Sequence, residues 1–268
     1  MGHQLKQPKV TAIIPARYNS TRLPAKLLLD LAGKPIIQHV YERTSQAKLI
    51  DQVIIATDDS RIEAVVKNFG GNVLMTSNKH QTGTDRIAEV AQGLTSEIIV
   101  NVQGDEPLID PTTIDQAITP LLVDKNLMMS TTCESIENWA DVFNPNVVKV
   151  VMNSLGEALY FSRAPIPFPR FAALGEQCFD PQKMLLEIQN NSQVDNYFKH
   201  TGLYVYRREF LLNFTHWPRG TVEKAESLEQ LRALQMGYRI QVIKVTHRSI
   251  GIDTLADLEK AREILKID

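Results

Sequence analysis

The sequence predicts an α/β protein whose mixed, mostly parallel sheet is flanked by helices. Short apolar runs that suit buried strands alternate with stretches in which apolar residues recur at helical spacing. Strands that alternate with helices in this way form parallel sheets with right-handed crossovers. The 268 residues are enough for a single large domain with a smaller lobe.

Each predicted element has a local justification. Apolar runs bounded by polar or turn-forming residues predict strands at 10–14, 53–57, 73–75, 98–102, 128–132, 147–152 and 240–245. Apolar residues at helical spacing predict helices at 35–49, 62–69, 81–92, 112–123 and 223–236, and a last helix after Thr254. Pro35 suits a first helical turn, whereas Gly70 and Gly237 are typical of helix ends.

The composition excludes several classes of function. The chain is 43% hydrophobic and 22% charged, as expected of a soluble globular enzyme. Its formal net charge of −2 gives no reason to expect a nucleic acid or a membrane as partner. Because no signal peptide or long apolar stretch is apparent, we expect a cytoplasmic protein. Cys133 and Cys178 are expected to be free thiols.

A cationic loop follows the first predicted strand. After Pro15 it carries Arg17, Arg22 and Lys26, which cannot all be buried without anions. Open α/β sheets bind phosphate ligands just past the carboxyl end of the first strand. Arginine grips phosphate through a planar fork and lysine acts as a mobile point charge, so the mixture suits a triphosphate. The alternative is a solvated loop with three ordinary surface cations.

Two further polar segments lie at the start of a predicted helix and at the end of a predicted strand. Thr82 and Gly83 begin a helix whose free N–H groups could bind an anion, although a capped helix with Arg86 in solvent explains the same pattern. Asp105 follows the strand at 98–102 and is a candidate Mg²⁺ ligand, because Mg²⁺ takes few carboxylates and completes its shell with phosphate and water. A carboxylate that stabilises a turn is the alternative for Asp105.

The carboxyl-terminal half changes in character. Residues 160–170 are rich in proline and aromatic residues and are expected to be extended or irregular, and residues 171–195 are expected to form a surface excursion. We therefore place a smaller lobe at about 130–215, whose aromatic residues suggest a self-association surface or packing on the main sheet. Strand alternation puts Tyr204 and Tyr206 on one face, with His200 at the strand's entrance.

Six motifs are spread along the chain. The first is the loop from Pro15 to Lys26 followed by Gly33-Lys34-Pro35. The others are Thr82-Gly83-Thr84-Asp85-Arg86, Gln103-Gly104-Asp105-Glu106-Pro107, the segment His200 to Tyr206, the segment Glu226 to Arg232, and Gly251-Ile252-Asp253-Thr254. Together these motifs closely resemble the 3-deoxy-D-manno-octulosonate (Kdo) cytidylyltransferase, or CMP-Kdo synthetase, family, which usually has glycine where this chain has Ala25. The resemblance spans essentially residues 10–266.

The resemblance implies a Rossmann-like nucleotidyltransferase fold, a homodimer, and transfer of CMP from CTP to Kdo with Mg²⁺ as cofactor. It implies that the nucleotide is bound by Ala16, Arg17, Ser20, Arg22, Lys26, Thr82 and Gly83. It implies that the sugar is bound by Arg86, Gln103, His200, Tyr204, Glu229 and Gln230. It implies that Asp105 and Asp253 hold Mg²⁺ and, together with Lys26, carry the chemistry.

Alternatives remain for several of these assignments. Thr254 and Asp257 resemble a capping box, so Asp253 could be merely a residue at a helix start. Glu229 and Gln230 could lie on the solvated face of an amphipathic helix, which would also explain Arg232. The substrate could be another acidic sugar, such as 8-amino-Kdo or a sialic acid. A nucleotide-binding regulator without turnover is a further alternative, which the two candidate metal carboxylates disfavour.

Overall fold

The computed structural model describes residues 8–19, 23–168, 197–247 and 250–267. They divide into two compact units. The first takes its described residues from Met1–Ser130, Gly202–Trp217 and His247–Asp268, and the second from Thr131–Thr201 and Pro218–Thr246. The predictions for Ser20, Arg22, Cys178 and 171–195 lie outside the described residues.

The strands, in chain order, are β1 (Val10–Ala16), β2 (Asp30–Leu31), β3 (Lys34–Pro35), β4 (Gln52–Thr57), β5 (Val73–Met75), β6 (Ile98–Asn101), β7 (Met129–Ser135), β8 (Lys149–Met152), β9 (Ala158–Ser162), β10 (Phe198–Arg207) and β11 (Ile240–Lys244). The α-helices are α1 (Ile36–Ser45), α2 (Ser60–Asn68), α3 (Gly83–Gln92), α4 (Pro111–Val123), α5 (Trp139–Phe143), α6 (Arg208–Phe214), α7 (Thr221–Glu226), α8 (Leu231–Gln235) and α9 (Leu255–Ile267). A short 3₁₀ helix spans Lys26–Leu28. Strands β7 and β10 contribute residues to both units.

The first unit is built on a mostly parallel sheet in the order β10-β6-β1-β4-β5. Strand β1 pairs in parallel with β4 and β6, and β4 pairs in parallel with β5. Strand β10 runs antiparallel to β6, with Tyr204 opposite Asn101. Ala12 and Ile14 of β1 have no exposed surface, as expected of a central strand between two layers of helices.

The second unit contains β8, β9 and β11, most of β7, and the first four residues of β10. Its strands follow the order β11-β7-β10, with β8 paired to β10 and to β9. The β8–β9 and β8–β10 pairs are antiparallel. Cys133 of β7 is a buried free thiol, as predicted, and burial raises the pKa of this thiol to about 12.

The predicted fold class is confirmed, with local corrections. The single helix predicted at 223–236 is wrong, because Ser227 adopts φ 53° and ends α7 before α8 begins. Helix α5, capped by Asn138, was not predicted. Strand β1 continues through Pro15, where a missing N–H is tolerated. Its pairs with β6 end at Ile13, so among the described strands β4 alone pairs with β1 at Pro15.

The second unit differs from the lobe predicted at about 130–215. Residues 202–217 belong to the first unit, where Arg208 donates hydrogen bonds to the carbonyls of Ala91 and Gln92 at the end of α3. Residues 218–246 belong to the second unit instead. Among the described residues, no helix is both long enough and apolar enough to cross a membrane.

Candidate active site

A cavity of about 360 Å³ lies at the carboxyl ends of β1 and β6, in the first unit. It is lined by Pro15, Arg17, Asn19, Lys26, Leu27, Gly83, Gln103, Gly104, Asp105 and Asp253. The carboxyl edge of adjacent parallel strands is where open α/β sheets bind ligands. The cavity therefore brings segments from the start, the middle and the end of the chain to one place.

The Lys26 ammonium lies between two carboxylates in this cavity. Its Nζ atom is 2.6 Å from Oδ2 of Asp105 and 3.0 Å from Oδ1 of Asp253. Lys26 is only 8% exposed. Burial pushes the Lys26 pKa down, but the two carboxylates outweigh burial and hold the pKa above its ordinary value. Lys26 is therefore charged, and it neutralises one of the two carboxylates.

Asp253 lies at the start of the last helix, as the alternative held, but other side chains form the cap of that helix. The cap of α9 is formed by Thr254 and Asp257: the Asp257 N–H donates to Thr254 Oγ1, and the Thr254 N–H donates to Asp257 Oδ2. The N–H of Asp253 also donates to Asp257, whereas the Asp253 carboxylate accepts from Lys26. The Asp253 side chain is thus directed to the cavity.

Gly104 allows Gln103 and Asp105 to lie close to β1. A Cβ atom at this position would come within 3.0 Å of the Pro15 carbonyl oxygen, so a larger residue would push the turn away from the strand. In the sequence, this close approach to β1 was indicated by a glycine between two polar residues directly after a buried strand. Its contact with Pro15 could not be predicted, because 89 positions of chain numbering separate the two residues.

The cationic loop is partly described. Arg17 is exposed, and its Nη2 atom donates to the His80 carbonyl at 3.1 Å. Ala16 is fully buried at the end of β1. Thr82 and Asp85 form a capping box at the start of α3, and Gly83 lines the cavity. The helix is therefore capped by its own side chains, and its first turn still faces the candidate ligand site.

Arg86 is not solvated, so that alternative is wrong. It is 1% exposed, its Nη2 atom lies 3.2 Å from Asp58 Oδ1, and its Nη1 atom donates to Thr76 Oγ1. Its Nε atom has no hydrogen-bond partner among the described residues. Arg86 lines a second polar cavity, of about 370 Å³, together with Arg17, Tyr18, Asn19, Asp58, Asp59, Asn78 and His80.

Gln103 is held in one orientation. Its amide nitrogen donates to the Gly202 carbonyl at 2.9 Å and to Asn101 Oδ1 at 3.3 Å. Both amide hydrogens are thereby committed, so the carbonyl oxygen of this side chain is the acceptor offered to the cavity. Tyr204 and Tyr206 lie on one face of β10 and stack with ring centroids 5.9 Å apart, as the alternation predicted.

The second unit holds the remaining predicted sugar contacts. His200 lies within β10 rather than at its entrance; it is 2.9 Å from Thr131 Oγ1, and burial lowers its pKa to about 3. Glu229 is half-buried on the turn between α7 and α8. Gln230 is 3% exposed, and its Nε2 atom has no hydrogen-bond partner among the described residues.

The solvated amphipathic face that would explain Arg232 is also wrong. Arg232 is 5% exposed, and its Nε and Nη2 atoms donate to the two carboxylate oxygens of Glu223 at 2.8 and 2.6 Å. Sequence reasoning missed this pair, and it also missed Glu226, which accepts hydrogen bonds from Ser162 Oγ and the Arg163 N–H. The available signal in the sequence was that both carboxylates lie within the predicted helix at 223–236, which also contains a matched motif.

The carboxylate pair suits a Mg²⁺ ion bound together with a phosphorylated ligand. In the described part of the chain, no group of three or more His, Cys, Asp and Glu side chains is arranged to hold a metal. Mg²⁺ needs only one or two carboxylates when phosphate and water oxygens complete its shell. Asp105 and Asp253, already turned towards one cation, therefore fit such an ion.

Comparison with known families and structures first identifies the class of protein. A family model described as Cytidylyltransferase matches residues 11–241. A solved structure described as a cytidylyltransferase from Leptospira borgpetersenii covers 97% of this chain and 88% of its own, with 18% identity and a TM-score of 0.62, which shows a shared fold. The fold and the family match thus define a cytidylyltransferase.

Relatives with higher sequence identity narrow the class to one enzyme family. The 3-deoxy-manno-octulosonate cytidylyltransferase of Geotalea daltonii is 54% identical over 96% of this chain and 98% of its own. That of Geobacter sulfurreducens is 53% identical over 96% and 99%. A structure of CMP:2-keto-3-deoxy-manno-octonic acid synthetase complexed with CTP is 42% identical, covers 97% of this chain and 99% of its own, and has a TM-score of 0.85. The chain belongs to the 3-deoxy-manno-octulosonate cytidylyltransferase family.

Proposed function

We propose that this protein transfers CMP from CTP to the anomeric hydroxyl of Kdo, releasing pyrophosphate and activating the sugar for lipopolysaccharide synthesis. The observation that carries this proposal is the convergence of Lys26, Asp105 and Asp253 in one cavity at the carboxyl edge of the sheet. Membership of a family whose relatives carry this activity in their names supports the choice of nucleotide and sugar.

The reaction needs positioning and charge neutralisation more than covalent help. Arg17 and Lys26 bind the triphosphate, with Ser20 and Arg22 assigned to the same role by resemblance. The sugar hydroxyl attacks the α-phosphate in line and pyrophosphate leaves. Cys133, the thiol that the structure describes, is buried with its pKa raised to about 12, which is unsuited to a nucleophile.

Asp105 and Asp253 are the residues that would hold Mg²⁺. When bound, this ion neutralises phosphate charge and lowers the pKa of the attacking hydroxyl.

The sugar is bound by the remaining residues of the proposed site. Gln103 offers an acceptor oxygen that suits a sugar hydroxyl, and Arg86, Tyr204, Glu229 and Gln230 complete the set by resemblance. His200 is neutral at physiological pH, since its pKa lies at about 3, and so contributes a hydrogen bond rather than a positive charge.

We also propose a cytoplasmic homodimer that associates through the second unit. Leu155 and Leu159, on the β8–β9 hairpin, are 73% and 61% exposed, which suits a surface covered by a second copy. Sedimentation of the purified chain tests this assembly. A monomer at all concentrations contradicts it.

The function is tested by measuring Mg²⁺-dependent pyrophosphate release with each nucleoside triphosphate against Kdo, 8-amino-Kdo and a sialic acid. We expect turnover with CTP and Kdo, weak turnover at most with UTP, and none with purine triphosphates. Comparable turnover with ATP contradicts the assignment. A preference for another acidic sugar would identify a different substrate for the same class of enzyme. Nucleotide binding without turnover would favour a regulator.

A further inference from the structure

We infer that Lys26 is the internal counter-ion of the Asp105–Asp253 pair in the nucleotide-free protein and competes there with a divalent cation. The cation therefore binds tightly only when a triphosphate draws the Lys26 ammonium away. This inference rests on the proposed function, because it takes the carboxylate pair as the metal site.

The contacts of Lys26 leave little room for a second cation. Its ammonium already lies 2.6 Å from Asp105 and 3.0 Å from Asp253, so one oxygen of each carboxylate is occupied. A Mg²⁺ or Mn²⁺ ion would take its protein ligands from the same two carboxylates. An ammonium and a divalent ion held by these two carboxylates would lie close together, and their repulsion in a partly buried site opposes joint occupancy.

The backbone segments that carry the two carboxylates cannot easily move apart to make room. The backbone N–H of Ile252 donates to the Asp105 carbonyl at 2.9 Å, and Ile252 has no exposed surface. The Asp105 and Asp253 backbones are therefore fixed next to each other. Any exchange of partners therefore falls to the side chains, and the four methylene groups of Lys26 carry a point charge that can pair with phosphate as well as with carboxylate.

A triphosphate resolves the competition by offering Lys26 other acceptors. Once the ammonium pairs with phosphate oxygens, the two carboxylates regain their full charge of −2, and the phosphates supply further ligands for the cation. By linkage, whatever the nucleotide adds to cation affinity the cation adds to nucleotide affinity. The site thus admits metal and nucleotide together rather than metal alone.

The test is Mn²⁺ binding, measured by electron paramagnetic resonance without nucleotide and without turnover. Lys26→Gln removes the competing charge and should bind Mn²⁺ at least about tenfold tighter than the unaltered protein. Lys34→Gln is the matched control: it removes the same charge from an exposed lysine paired with Glu42 and should leave Mn²⁺ affinity unchanged. Adding Asp253→Asn to Lys26→Gln should abolish the gain.

Several outcomes overturn the inference. Equal or weaker Mn²⁺ binding by Lys26→Gln shows that Lys26 does not compete. If the unpaired carboxylates destabilise that variant, its melting temperature with and without Mn²⁺ decides: a rise larger than that of the unaltered protein supports competition, and no added rise contradicts it. Mn²⁺ binding with CTP that is insensitive to Asp253→Asn contradicts instead the metal site of the proposed function, so the two failures are distinguishable.

Discussion

The backbone N–H of Ile252 donates a hydrogen bond to the backbone carbonyl of Asp105 at 2.9 Å. This bond joins the turn after β6 to the segment that leads into α9. It places Asp253 beside Asp105, so that Lys26 reaches both carboxylates although 79 and 227 positions of the chain separate it from them. Backbone pairing, and not side-chain attraction alone, therefore sets the geometry of the candidate site.

Ala25 precedes this lysine in the left-handed conformation, at φ 54°. An L-residue with a Cβ atom is strained there, so Ala25→Gly should raise the free energy of unfolding by about 1 kcal/mol. Chemical denaturation measures the change. Ala256→Gly in the exposed face of α9 is the control and should lower stability by about 1 kcal/mol. A loss of stability in Ala25→Gly would contradict the interpretation that Ala25 is strained.

Gly202 is predicted to position Gln103. A Cβ atom at Gly202 would lie 2.8 Å from Gln103 Cγ, so Gly202→Ala should turn the amide away and raise the KM for Kdo about fivefold, the equivalent of one net hydrogen bond. Steady-state kinetics measure this. Gly93→Ala, where the nearest atom is 3.7 Å away, should leave KM unchanged.

A double variant separates positioning by Gly202 from a general loss of structure. If Gly202→Ala acts through Gln103, adding it to Gln103→Ala should cost little beyond Gln103→Ala alone. Additive losses would show that Gly202 acts elsewhere.

His200 should make the protein less stable in acid. In the unfolded chain its pKa is the ordinary 6.5, whereas burial lowers the native value to about 3. Between these values the unfolded state binds the extra proton, so native stability falls as the pH is lowered from about 6.5 to about 3. His200→Gln should flatten that fall in denaturation curves measured across this range, relative to the unaltered protein. Exposed His216→Gln is the control, and equal slopes for the two variants would contradict the assignment.

Much of the fold could be predicted because periodicity is a local property of the sequence. The parallel strands and most helices follow from apolar spacing, and the capping box of Thr254 and Asp257 from residue types three positions apart. The break at Ser227 was missed because nothing in the amphipathic pattern marks a positive φ at a serine. Tertiary context decided that conformation.

The candidate site was less accessible to sequence reasoning, since its contacts join distant segments. The motif resemblance identified Asp105 and Asp253, but no local pattern predicted that Lys26 lies between them. Arg86 could be taken for a solvated residue because its partners, Asp58 and Thr76, lie on other elements. Charge and spacing indicate which residues are chemically capable, whereas burial decides which of them face one another.

The most direct test of the account is turnover of Asp253→Asn with CTP, Kdo and Mg²⁺, compared with Thr254→Ala. Because the Asp253 carboxylate contacts Lys26 and Thr254 forms the cap, Asp253→Asn should lower kcat at least about a hundredfold with little change in melting temperature. Thr254→Ala should lower stability by about 1 kcal/mol and keep turnover. Asp105→Asn should match Asp253→Asn, and the double variant should lose little more. An Asp253→Asn variant that is destabilised but turns over normally would contradict the account.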